Sequence, residues 1–119
     1  MFEAENLRDW RGYDVVDERG GKIGSLEAVY VDTSTDLPSF ATVKIGGLAR
    51  KSRLVFVPLT GAKVSPKHVR VQVAKNDAKS APSIDLDGEL LADIEPSVFE
   101  HYGMTYTPGT GGERRLARR

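Results

Sequence analysis

Between residues 12 and 32 the apolar positions fall into two runs separated by a pair of glycines. Val15 and Val16 precede Glu18-Arg19-Gly20-Gly21, and Ile23, Leu26, Val29 and Val31 follow it. Gly20 and Gly21 take positive φ without a Cβ clash, so the pattern predicts strand, turn, strand. Val, Ile and Tyr suit a half-buried pleated surface. The four apolar positions after the turn do not keep a strict period of two, because Leu26 has the opposite parity to Ile23, Val29 and Val31. A bulge near Gly24 or within residues 25–28 brings all four onto one face. A long bulged strand after a Gly-Gly turn fits a small, strongly curved sheet or barrel.

The rest of the chain continues in short strands. Trp10 and Tyr13 flank Gly12 and are expected to pack over an end of the sheet. Residues 32–38 read as a loop of turn formers closed by Pro38. Ala41, Val43 and Ile45 alternate with Thr42 and Lys44, a strand ended by Gly46-Gly47. Residues 54–57 are a continuous apolar run, as expected of a strand covered on both faces, and Pro58 stops it. Residues 62–65 form a brief strand before Pro66. Val69, Val71 and Val73 alternate with His68, Arg70 and Gln72. Six strands without a long helical pattern between them point to an all-β barrel or sandwich rather than to βαβ units.

After Val73 the pattern changes. Residues 76–80 predict one helical turn capped by Asn76. Residues 85–89 are an acidic loop. Glu95 and Pro96 open a short helix ended by Gly103, with Val98, Phe99 and Tyr102 as its apolar stripe. Residues 104–119 lack an apolar period and read as a disordered Gly/Arg tail behind a domain of residues 6–103.

Composition narrows the chemistry. The 119 residues include no cysteine, which excludes disulfide frameworks, thiolate catalysis and cysteine-ligated metals and fits a reducing compartment. No apolar run is long enough to span a membrane as a helix, and the acidic start of the chain has no signal-like core, so the expected location is the cytoplasm. The chain is neutral overall, yet Arg114, Arg115, Arg118 and Arg119 against Glu113 give its end +3, leaving residues 1–112 at −3.

The order of Gly12-Tyr-Asp-Val-Val-Asp17, Gly21-Lys-Ile-Gly24, Val29-Tyr-Val-Asp32, Phe56-Val-Pro-Leu59 and Lys75-Asn-Asp-Ala-Lys-Ser-Ala-Pro82 resembles the PRC-barrel family. Glu100-His-Tyr-Gly103 is similar to the close of its stand-alone bacterial members. The resemblance implies a small curved six-stranded β-barrel serving mainly as an interaction module. The family occurs in the photosynthetic reaction-centre H subunit, on the cytoplasmic side of the membrane complex, and forms the C-terminal half of a ribosome-maturation factor. Neither role transfers with the fold alone.

A search for catalytic groups finds none placed for chemistry. The two histidines, His68 and His101, show no ligand spacing. The serines lack a nucleophile elbow, and the carboxylate pairs Asp85/Asp87 and Glu89/Asp93 sit in polar loop. Asp17 and Asp32 close strands and read as turn caps. The glycine pairs are hairpin turns, not phosphate loops. The chain is therefore expected to be no enzyme and to need neither cofactor nor metal.

Two surfaces remain. Leu48, Leu54, Phe56 and Leu59 are either exposed for a partner or a second copy, or covered by the C-terminal helix. Arg50, Lys51 and Arg53 form a basic turn that, with the arginine tail, meets an acidic partner or a phosphate backbone. The favoured reading is a non-enzymatic interaction module, an adaptor or homodimer, with these cations tuning affinity. The alternative is an RNA- or ribosome-associated assembly factor; a ligand-binding pocket at a barrel mouth ranks third.

Overall fold

The computed structural model describes residues 10–46, 52–65, 68–86, 88, 90, 94–107 and 115–118. Its strands are β1 (Asp14–Val16), β2 (Lys22–Asp32), β3 (Pro38–Ile45), β4 (Arg53–Pro58), β5 (Lys63–Ser65), β6 (His68–Arg70), β7 (Ser83–Ile84) and β8 (Leu116–Arg118). Two short helices, α1 (Lys75–Lys79) and α2 (Glu95–His101), lie between the later strands. All eight strands join one sheet in the order β5-β6-β1-β2-β3-β4-β7, with β8 on β2. Among the described residues only the β1–β6 pairing is parallel.

The six expected strands are all present, and the fold is all-β in character. Among the described residues, however, β5 and β7 do not pair with each other, so the curved sheet stays open instead of closing as a barrel. Pro38 begins β3 rather than ending a loop, which its missing N–H allows at a first strand position. Asn76 does not cap α1: the cap position is Ala74, with no side-chain bond. The second helix starts at Glu95 with Pro96 in its first turn, as the sequence predicts.

The irregular parity of β2 has the expected cause. Against β1, Val15 pairs with Gly24 and Val16 with Lys22, leaving Ile23 as an extra residue. Against β3, Leu26 pairs with Val43 and Ala28 with Thr42, leaving Glu27 as another. These two bulges put Ile23, Leu26, Val29 and Val31 in one core. Gly24 sits where β2 lies close against β3. A Cβ there would overlap the Lys44 carbonyl oxygen and stand 2.8 Å from Val43 Cγ1.

The sheet buries both faces. The inner face gathers Trp10, Val15, the four β2 residues, Ala41, Val43, Val55, Val57, Val69 and Val71. The outer face gathers Ala28, Tyr30, Phe40 and Phe56 under Leu90, Val98, Phe99 and Leu116. The apolar run 54–57 is thus covered on both sides, as its lack of alternation predicts.

The end of the chain departs from expectation. Residues 116–118 are not a disordered tail but strand β8, pairing Leu116 with Asp32, Ala117 with Val31 and Arg118 with Tyr30. Glu95 makes this possible. Its buried carboxylate accepts the Arg115 N–H (2.6 Å), the Leu116 N–H (3.1 Å) and the Tyr106 hydroxyl (2.8 Å). A buried charge is tolerable when its lone pairs are filled in this way.

Candidate interaction surfaces

The apolar residues expected at a partner surface are interior. Leu54, Phe56 and Leu59 are buried within the chain itself. Phe56 packs on Tyr30 (ring centroids 5.2 Å apart), in the cluster that α2 and β8 cover. Leu59 belongs to the inner core, and Leu54 lies in register with Ile84 of β7. For Phe56 the physical reason is the C-terminal segment, which occupies the outer face that a partner would otherwise take. Leu48, Arg50 and Lys51 lie outside the described residues.

The expected cations also divide. Arg53 donates from Nη2 to the Lys79 carbonyl at 2.9 Å. Arg115 is not a free tail charge: its Nε donates to Asp32 Oδ2 at 2.6 Å and its Nη1 to the Thr107 carbonyl at 2.9 Å. Arg118 is exposed on β8. Arg114 and Arg119 lie outside the described residues. Glu95, which organises this region, escaped the sequence reading because its partners lie 11 to 21 residues away in a segment without periodicity.

Asp17 and Asp32 act as the turn caps their positions predict. Asp17 Oδ1 accepts the N–H groups of Gly21 (2.8 Å) and Arg19 (2.9 Å), and Asp32 Oδ1 accepts that of Ser34 (2.8 Å). The Gly21 N–H, chiefly, holds the Asp17 carboxyl below its ordinary range. Burial pushes the Tyr102 phenol up, with the Asp77 charge adding to it; its hydroxyl donates to the Phe56 carbonyl at 2.6 Å. Burial and the bond to Glu95 likewise raise Tyr106.

A groove of about 600 Å³ opens at one end of the sheet, lined in part by Pro58, Gln72, Asp77, His101 and Tyr102. His101 Nε2 donates to the Asp77 carbonyl at 2.7 Å, and His68 bonds the Ser65 hydroxyl, so the two histidines serve separate local contacts. Among the described residues no three His, Asp or Glu side chains come together as a metal site. No described helix is long and apolar enough to cross a membrane.

The edges of the sheet are its open features. Among the described residues β5 pairs only with β6, and β7 only with β4. Val64 of β5 is opposite the buried Val69 yet is 40% exposed, so the inner core reaches the surface at that edge.

A short, strongly curved sheet with bulged strands defines the class of small β-barrel-like modules. The PRC-barrel domain model matches residues 2–77, and the chain belongs to that family. The match ends within α1, so β7, α2 and β8 lie beyond it. No curated protein matches the chain.

Proposed function

We propose that the chain is a non-enzymatic protein-interaction module, an adaptor or a homodimer, that binds along the free edges of its sheet. The observation that carries this is the open edge at β5. Both faces of the sheet are filled from within, while β5 keeps one side unpaired among the described residues and leaves Val64 half-open beside the inner core. An extended partner strand gains main-chain hydrogen bonds there and a pocket edge for its side chains. The shortness of β5 and the charge of Lys63 restrain indiscriminate pairing. Membership of a family whose domains serve as interaction modules supports the same reading.

Cross-linking and light scattering at high micromolar concentration, with a tagged pull-down from lysate, test it. The expected result is a dimer or a protein partner that resists nuclease and is lost in Val64→Lys. A monomer that captures nothing, or capture indifferent to Val64→Lys, overturns it. Truncation at Gly112 is a poor probe, because it removes β8 and strips Glu95 of two donors.

The RNA- or ribosome-associated reading stays as the alternative. It is weakened by Arg115, whose guanidinium is already committed to Asp32 and Thr107. It predicts RNA binding that falls steeply with salt.

A further inference from the structure

Shallow grooves run in series along the sheet end that carries Ile45 and Gly46. The first, of about 370 Å³, is lined by Lys22, Gly24, Ser25 and Lys44. The second, of about 490 Å³, is lined by Arg53, Asn76, Lys79 and Ser80. The two share Ile45 and Gly46. A third shares Arg53 with the second and includes Asp85, where the cationic stretch ends.

The charges along this line are unbalanced. Lys22 meets Asp14 at 3.2 Å, both side chains more than half exposed. Lys44 and Lys79 have no carboxylate partner among the described residues, and both are exposed. Arg53 spends one of its donors on the Lys79 carbonyl, which anchors it in the second groove. The body of the chain is net negative, so these cations are a local excess against the general charge.

We propose that the paired grooves bind an extended acidic segment of a partner protein, with carboxylates at Lys44, Arg53 and Lys79. This rests on the interaction-module reading and names the partner's chemistry. Charge complementarity carries it. A nucleic acid fits less well: neither groove has an aromatic lining residue on which bases would stack. The contacts are exposed ion pairs, individually weak, so binding is moderate, cumulative and salt-sensitive.

Fluorescence anisotropy on the full chain tests this with a labelled Glu-Ser repeat peptide, a Lys-Ser repeat of equal length and an oligouridylate. At low ionic strength the acidic peptide is expected to bind and the basic peptide not to. The double variant Lys44→Glu, Lys79→Glu is expected to weaken acidic-peptide binding by about tenfold or more, since two attractions become repulsions. Its circular dichroism and melting serve as the fold control. Unchanged affinity in a folded double variant, or tighter binding of oligouridylate than of acidic peptide, overturns the proposal. The two readings fail separately. Partner capture lost in Val64→Lys but retained in the double variant sinks the groove and spares the module. Acidic-peptide binding lost in the double variant, with capture indifferent to Val64→Lys, supports the groove and sinks the edge.

Discussion

The two faces of the sheet are built by different means. The inner core is made mostly by β-branched residues on β1 to β4, which pair with their chain neighbours, and on β6, which joins β1. The outer core is made by a few aromatic rings that Leu90, α2 and β8 cover. Phe40 and Phe99 stack edge to face at 5.1 Å, and Phe99 and Tyr106 at 5.2 Å. The first core lies largely inside the family match and the second depends on chain beyond it. An inner face of this kind specifies the module. An outer face closed by a separate segment decides which surfaces are left for partners.

The largest expected effect comes from emptying the outer core. Phe56→Ala removes a fully buried ring that touches Tyr30 and lies under α2 and β8, and should cost about 3–5 kcal/mol. Urea unfolding measures it. A loss under about 1 kcal/mol would mean the outer core collapses readily around the hole and adds little. On the inner side, Gly24→Ala should cost about 1–3 kcal/mol, because β2 and β3 must part to admit the methyl against the Lys44 carbonyl. A neutral result there would show that the close approach of the strands is not tight.

Glu95→Gln sharpens the comparison. The amide keeps one acceptor oxygen but turns an NH2 toward donors now served by the second, at a cost of about 1–3 kcal/mol. Hydrogen exchange should speed at Leu116–Arg118 while the amides of Val43 and Val55 keep their protection. Equal loss in both places would show β8 and the inner sheet to be one cooperative unit.

The inner half and α2 were legible in the sequence, and β8 was not. The alternation of β3, the glycine turn and the broken parity of β2 each carry a local signal, and the structure places them as that signal predicts. The unbroken run 54–57 announced burial on both faces without saying what lay on the second. Strand β8 has no such signal. Three residues between arginines look like tail, and what orders them is a carboxylate 20 and 21 residues earlier in the chain. Of the two placements the sequence leaves open for Phe56, a partner surface or a position under the C-terminal helix, the structure shows the second, with β8 completing the cover.

The smallest effect is at the seam between the two cores. Tyr102 packs against both and donates its hydroxyl to the Phe56 carbonyl, tying α2 to β4. Tyr102→Phe removes that bond and leaves the ring in place, so about 1 kcal/mol should be lost. The variant also has a pH signature. The folded state holds the phenol above its ordinary value of 10.0, so the unfolded chain ionises first. Stability from this group is complete below that value and declines as pH rises past it toward the folded one. Wild type should therefore lose stability above about pH 10 more steeply than Tyr102→Phe, measured as the difference in urea midpoints across the alkaline range. Parallel curves would show that the seam is held by ring packing and not by the hydroxyl.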